Sequence, residues 1–308
     1  MSYILISPCR NEQDYMRRTL DSVAAQSVPP ALWVIVDDGS SDATPQILAD
    51  YAARHPWIRV VAKPDRGERA VGPGVIEAFY YGLERAEPEL SEAEFLCKLD
   101  LDLDLPPRYF EILMERLRAD PRLGSCSGKP WFRDGSGRWI SEKCGDEMSV
   151  GMTKFYRKTC FEQIGGFLQE VMWDAIDCHR SRQMGWTVRS WEEPELRFEH
   201  LRPMGSSQSG VLTGRMRHGY GQWYMGSDFL YFTATCLFRM AHPPYVIGGL
   251  ATWWGYVRAW VTGAPQHGDE ELKRFIRRYQ RRALTVGKTR AVDEIDAAGA
   301  LAWEVPAA

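Results

Sequence analysis

Two clusters of carboxylates follow apolar runs in the N-terminal part of the chain. Asp37-Asp38-Gly39-Ser40-Ser41-Asp42 comes after a run ending at Val36, and Asp100, Asp102 and Asp104 come after one ending at Leu99. Carboxylates placed just beyond strands can accept hydrogen bonds from a nucleotide's base or ribose, or they can hold a divalent cation. Hard cations such as Mg²⁺ take oxygen ligands and share them with substrate phosphates. If the strand continued past Leu99, Asp100, Asp102 and Asp104 would lie on one side of it. Their mutual repulsion would then call for a metal or for the flanking Lys98. An Asp-Gly-Ser turn is common by itself; a pair of such clusters, each after a strand, is the more specific signal. The run 63–69 offers Lys63, Arg66 and Arg69, any of which could reach a diphosphate or belong to a solvated charged loop. Gly72, Pro73 and Gly74 permit close backbone approach where the next helix starts.

Short apolar runs alternate with amphipathic segments over the first 130 residues. Strands are expected at Tyr3–Ser7, Trp33–Val36, Ile58–Ala62 and Phe95–Leu99. Helices are expected at Tyr15–Gln26, Thr44–Arg54, Val71–Glu84 and Pro107–Arg118, with Asp42 or Thr44 as a cap. Repeated β-α units of this length imply an α/β fold, a mostly parallel sheet with helices on both faces. Ligands of such sheets bind beyond the carboxyl ends of the strands, where both clusters fall. Residues 131–200 are less regular, and 203–227 are rich in Gly and Ser, which suggests a mobile loop or lid. Residues 228–262 are apolar, interrupted by Pro243-Pro244 and Gly248-Gly249. A basic helix is expected over 269–284 and a tail beyond it.

The 308 residues are 44% hydrophobic and 26% charged, which excludes a disordered or fibrous chain. A net charge of −3 gives no reason to expect nucleic acid as a partner. Seven cysteines, an odd number without a CxxC pair, read as reduced thiols rather than disulfides or a zinc site. The start, MSYILISPCRNE, lacks the pattern of a signal peptide. No apolar run is long enough for a transmembrane helix. The expected location is therefore cytoplasmic. The 12 Trp crowd the second half.

Several motifs occur in a fixed order. They are Ser7-Pro8, Arg10-Asn11-Glu12, Val34-Ile35-Val36-Asp37-Asp38-Gly39-Ser40-Ser41-Asp42, Leu99-Asp100 with Asp102, Gly165-Gly166-Phe167, Trp173-Asp174 and His200. Together they resemble a family 2 glycosyltransferase with the GT-A fold. The resemblance implies a nucleotide-sugar transferase that inverts the anomeric centre and uses Mg²⁺ or Mn²⁺. It implies that Pro8, Arg10 and Glu12 line the nucleotide pocket and that Asp38 accepts from a base such as uracil, with Asp37 beside it. Asp100 and Asp102 match the DxD motif, Asp100 toward the ribose or a metal-bound water and Asp102 on the metal. His200 matches a metal or phosphate contact. Asp174 matches the catalytic base, although the family's Glu-Asp is Trp173-Asp174 here. As a lone residue Asp174 also suits a helix N-terminus. Asp177 is a reserve base. Trp131 and Trp173 could stack on sugar rings or pack in the core.

These readings divide the chain into a GT-A catalytic domain over 1–205, a Gly-rich lid with a helical extension over 206–285, and a tail over 286–308. Within the first, 1–130 form the nucleotide-binding half and 131–205 the acceptor-side half. In the extension, Lys273, Arg274, Arg277, Arg278, Arg281 and Arg282 lie opposite Leu272, Phe275, Ile276, Tyr279 and Ala283 on a helical wheel. This basic face could meet an anionic membrane surface, at the cytoplasmic face of an inner membrane, or be the solvated side of a packed helix. A homodimer through the Trp-rich second half is the competing use of that surface. The family's processive synthases carry QxxRW and several membrane helices. Their absence here implies addition of a single sugar, from a UDP-linked donor to a saccharide or lipid-linked saccharide, in bacterial exopolysaccharide or surface-glycan synthesis. One rival is a sugar nucleotidyltransferase, whose Gly-rich first loop is replaced here by Ser-Pro-Cys-Arg-Asn-Glu. The other is a non-catalytic membrane-surface scaffold, against which the retained Asp38, Asp100, Asp102, Asp174 and His200 argue.

Overall fold

Consecutive apolar residues form central strands because a strand covered on both faces needs no polar alternation. The computed structural model describes residues 2–65, 67, 72–202, 210–242, 244–301 and 303. By contacts the chain divides into two units, Met1–Gln169 with Trp186–Pro203, and Glu170–Gly185 with Met204–Trp303.

The first unit begins with β1 (Tyr3–Cys9), α1 (Met16–Ala24), β2 (Leu32–Asp37), α2 (Thr44–Arg54), β3 (Ile58–Ala62) and α3 (Pro73–Leu83). Then come α4 (Glu89–Glu92), β4 (Phe95–Leu99), β5 (Leu103–Asp104), α5 (Tyr109–Ala119), β6 (Leu123–Ser127), β7 (Lys129–Arg133), β8 (Trp139–Ser141), β9 (Thr153–Arg157) and α6 (Lys158–Gln163). After α7 (Trp173–Gln183), which belongs to the second unit, the chain returns for β10 (Thr187–Ser190) and β11 (Arg197–His200). The main sheet has the order β10-β6-β9-β4-β1-β2-β3. β1 is parallel to both β2 and β4, and β3 is parallel to β2. β9 runs antiparallel between β4 and β6. A second sheet, β5-β11-β7-β8, lies in the same unit.

Tyr3, Leu5, Trp33, Ile35, Phe95 and Cys97 alternate onto one face of the main sheet and pack with Phe110, Leu113, Met114 and Leu117 of α5. The other face carries Ile4, Ile6, Val34 and Val36, all without exposed surface. There Gly82 lets α3 lie close, since a Cβ at that position would stand 2.7 Å from Val36 Cγ2. Expected and observed elements agree closely because both faces of β1, β2 and β4 are covered. Thr44–Arg54 is helical as expected, but the cap position is Ala43 rather than Asp42 or Thr44; Asp42, one residue earlier, accepts from Thr44 N through Oδ1 (2.9 Å).

The second unit is helical: α7, α8 (Val211–Tyr224), α9 (Phe229–Arg239), α10 (Tyr245–Val261), α11 (Glu270–Val286) and α12 (Lys288–Leu301). Two expectations change here. The Gly-rich stretch is helical over Val211–Tyr224 rather than a loop, and 203–209 of the expected lid lie outside the described residues. Gly219 there serves contact instead: a Cβ on it would stand 1.9 Å from Thr252 O, and one on Gly255 of α10 would stand 2.1 Å from Met216 O. α8 and α10 therefore meet backbone to backbone. The expected tail contains α12, whose Ala291 and Val292 are buried with Tyr279 and Ala283 of α11. Helix α7, read as part of the acceptor-side half, groups with α11 and α12. His179 lies against the Tyr279 ring, and Arg182 pairs with Asp296 (3.3 Å).

Candidate functional site

The carboxyl ends of β1, β2 and β4 are in register, so their following loops are neighbours. Cys9 lies opposite Asp37, and the ladder extends one step as Asp38 N donates to Cys9 O (2.9 Å). Asn11, at φ 54°, ties the first two loops together: its Oδ1 accepts from Ser41 N (2.8 Å), and its N donates to Ser40 Oγ (2.9 Å). Arg10 Nη1 donates to Asp38 O (2.5 Å) and to Asp65 Oδ1 (2.6 Å). Gly39, at φ 78°, leaves room for Asp65, because a Cβ there would stand 2.6 Å from Asp65 Oδ1. Arg10 thus fastens three strand-end loops.

Asp37 and Asp38 are both buried. Asp37 Oδ1 accepts from Ser40 N (2.9 Å), which holds the turn. Asp38 Oδ1 lies 3.3 Å from Lys63 Nζ, and the same ammonium reaches Glu77 Oε1 at 2.9 Å. Pro8 is half-buried, between Ser7 and Cys9 on β1. Arg69 lies outside the described residues.

The three carboxylates do not line one strand. β4 stops at Leu99 and β5 joins the second sheet, so the strand does not continue and the expected alternation of Asp100, Asp102 and Asp104 is lost. Each carboxylate takes its own cation. Asp100 pairs with the buried Lys98, which also donates to Gly151 O (3.0 Å). Asp104 pairs with Arg18 (2.5 Å), which also reaches Glu199 (2.7 Å).

Asp102, 5% exposed, faces two cations. Arg202 Nη2 lies 2.7 Å from its Oδ2 and 3.1 Å from Glu12 Oε1. His200 Nε2 lies 3.6 Å from the same Oδ2, while His200 Nδ1 lies 2.8 Å from Glu142 Oε2. Burial raises the Asp102 carboxyl, but hydrogen bonding and charge from His200 and Arg202 outweigh it and hold the group below the usual carboxylate range. Burial lowers His200, but Asp102 and Glu142 outweigh it and push the imidazole up to about 9. The second oxygen, Asp102 Oδ1, is buried and has no hydrogen-bond partner among the described residues. An oxygen in that condition suits a hard cation or a ligand donor. Among the described residues no cluster of three His, Cys, Asp or Glu forms a protein-only metal cage.

Arg202 and Glu142 were not singled out from the sequence. Arg202 stands two positions beyond His200, which was the only local cue. Glu142 follows β8 and carries no motif. In the second sheet Trp131 is half-buried with Arg197 5.0 Å from its ring, and its Nε1 has no partner among the described residues. Beside this sheet lies a cavity of about 310 Å³, lined by residues that include Tyr15, Arg18, Arg133 and His200.

The remaining candidates belong to the second unit. Asp174 is half-buried in the first turn of α7, after Met172 at φ 62°. Asp177 is 2% exposed, and its Oδ1 accepts from Cys178 N (2.7 Å). Trp173 is 8% exposed, which places it among packed residues. The seven cysteines are all free thiols, with no disulfide.

Comparison with known proteins adds four findings. The family model described as Glycosyl transferase family 2 matches residues 4–181. The poly-beta-1,6-N-acetyl-D-glucosamine synthase of Staphylococcus epidermidis is 29% identical over 129 residues, 42% of this chain and 28% of that relative. The chain thus spans little more than a quarter of that relative's length. Among solved structures, S. aureus TarS 1-349 in complex with UDP-GlcNAc superposes with TM-score 0.55 at 14% identity, over 97% of this chain and 91% of that one. GalNAc-T7 with UDP, GalNAc and Mn2+ gives TM-score 0.57 at 15% identity, over 99% of this chain and 58% of that one. At such identities the likeness is one of fold, and that fold is the expected GT-A arrangement.

Proposed function

The chain belongs to glycosyl transferase family 2, and we propose that it moves a single sugar from a UDP-linked donor to a saccharide or lipid-linked saccharide acceptor, inverting the anomeric centre. We assign this reaction to bacterial exopolysaccharide or surface-glycan synthesis at the cytoplasmic face of the membrane. The observation that carries the reading is that Asp37 ends β2 while Asp38, Asp100 and Asp102 follow at the carboxyl ends of adjacent strands, with His200 against Asp102. This is where α/β sheets take nucleotides.

In this reading Asp38 accepts the N–H of the base, and Pro8, Arg10, Asp37 and Glu12 shape the pocket around it. Lys63, on Asp38, holds that carboxylate in place. Asp100 receives the ribose. Asp102 would hold Mg²⁺ or Mn²⁺, and His200, whose imidazole Asp102 and Glu142 push up to about 9, would join it only on giving up its proton. The buried and unpartnered Asp102 Oδ1 fits that use. Such a cation supplies Lewis-acid neutralisation of the departing diphosphate. Arg202 adds positive charge at the same carboxylate. Asp174 takes the proton of the attacking hydroxyl as general base. Asp177, buried against a backbone N–H, is the weaker candidate for that role, and Trp131 is the aromatic with a spare donor for sugar contact.

The test is a thermal-shift panel of UDP, GDP, dTDP and CDP, each with and without Mn²⁺, on the wild type and Asp102→Ala. A ligand that binds only the folded state raises its stability with occupancy. UDP should give a metal-dependent shift that Asp102→Ala abolishes. A metal-dependent shift with a different nucleotide alone would overturn the donor assignment. No shift with any nucleotide would overturn the site.

A further inference from the structure

The outward faces of α9 and α10 are almost entirely apolar. Leu230, Ala234, Leu237 and Phe238 are exposed on α9 at spacings of three, four and seven, which makes one stripe. On α10, Ile247, Leu250, Trp254 and Val261 make another, with Arg258 in the same row. Leu230 is 69% exposed, Phe238 70% and Val261 78%. The opposite faces are already used. Phe232 and Cys236 of α9 are buried with Tyr256 of α10, and the Phe232 and Tyr256 rings stack at 4.7 Å. Of the sixteen exposed large hydrophobics among the described residues, ten lie between Leu230 and Val261. Such concentration marks an interaction surface.

Charge identifies the occupant. From Phe229 to Val261 the sequence holds Arg239, His242 and Arg258 and no Asp or Glu. An isologous contact between two copies would leave the exposed Arg258 with no acid on the face to meet it. An anionic lipid surface meets the apolar stripe with acyl chains and Arg258, exposed in the α10 row, with headgroups. Trp254, Trp260 and Tyr245, all exposed, are residues that favour the bilayer interface. Among the described residues no helix is long and apolar enough to cross a membrane, so these helices would lie in the leaflet.

The basic helix α11, whose charged face could from the sequence meet a membrane or be the solvated side of a packed helix, engages several of its cations in contacts within the protein, while Arg274, Arg278, Arg281 and Arg282 stay exposed. Lys273 is buried against Glu270 (2.6 Å), Arg277 Nε donates to Gly226 O (2.8 Å), Arg281 pairs with Asp228 (2.6 Å), and Arg282 pairs with Glu294 (2.6 Å). Its apolar side, Leu272, Ile276 and Tyr279, is buried.

We propose that the α9–α10 pair is a monotopic docking surface for an anionic phospholipid leaflet. This assignment stands independently of the donor and acceptor.

The full chain is sedimented with vesicles of phosphatidylcholine alone and of phosphatidylcholine mixed with phosphatidylglycerol, at low and high salt. The wild type should pellet with the mixed vesicles, and salt should weaken but not abolish the binding. Leu237→Ser/Phe238→Ser and Ile247→Ser/Leu250→Ser, on exposed positions, should melt like the wild type and lose partitioning about tenfold or more. Arg274→Gln/Arg278→Gln on α11 should retain most of it. In the unmodified protein, brominated lipid should quench Trp emission, and Trp254→Phe should remove much of that quenching. This second reading does not depend on how the serine variants fold. Failure of the wild type to bind mixed vesicles would overturn the assignment. So would serine variants that bind as well as wild type, or a dimer that these variants dissociate with no vesicle uptake by the wild type.

Discussion

The Asp102–Arg202 contact permits a quantitative test. The perturbation is a double-mutant cycle of Asp102→Asn, Arg202→Gln and the pair. At 2.7 Å, with an effective dielectric constant near 20, the Coulomb attraction is about 6 kcal/mol. Desolvation opposes it: the Asp102 side chain is 7% exposed, while that of Arg202 retains 19%. The surplus expected as coupling is about 2–4 kcal/mol. Asp102→Asn alone should cost about as much, because it leaves His200 and Arg202 facing each other without the shared carboxylate. Arg202→Gln should cost less, since His200 still faces Asp102. The assay is urea denaturation at neutral pH in chelator, with slopes compared to verify that the unfolding transition is unchanged. A coupling below about 0.5 kcal/mol would refute the reasoning, placing the pair in the range of exposed surface bridges.

Three further outcomes are expected. In metal-free protein His200, raised from 6.5 to about 9, contributes stability that is fully present below pH 6.5 and lost as pH rises through about 9. Denaturation midpoints across that window check the sign, and a stability that rises there would contradict it. Gly219→Ala and Gly255→Ala should each destabilise by about 3 kcal/mol or more, because the added methyl meets carbonyl oxygens at 1.9 and 2.1 Å that belong to the facing helix. A chemical melt equal to the wild type would show that α8 and α10 do not meet so closely. Asp174→Asn should lower sugar transfer by about 10²–10⁴-fold while leaving the nucleotide-induced thermal shift unchanged. Transfer at the wild-type rate would remove Asp174 from the base role.

Much of the first unit was legible from order along the chain. β1, β2, β3 and β4 are short apolar runs, and the helices between them repeat at helical spacing. Local periodicity reports burial, so such elements need no knowledge of their neighbours. The position of Asp37, Asp38 and Asp100 beyond strand ends follows from the same reading, because parallel strands deliver their carboxyl-end loops to one edge. The amphipathic character of α11 was equally visible.

Tertiary structure decided the partners. Arg202 meets Asp102 across 100 residues and Glu12 across 190, and Glu142 meets His200 across 58. No local pattern encodes pairs so far apart; they exist because the sheet order brings β11 beside β5 and β7. The antiparallel insertion of β9, the separation of Asp104 from Asp102 into another sheet, and the close α8–α10 packing through Gly219 and Gly255 are of the same kind. A glycine reads locally as a loop or as a contact with equal ease, and only the carbonyl lying opposite it distinguishes the two. The basic face of α11 shows the limit most directly: the sequence determined where its charges lie on the helix, and the fold determined that several of them are neutralised within the protein, leaving the apolar faces of α9 and α10 outward.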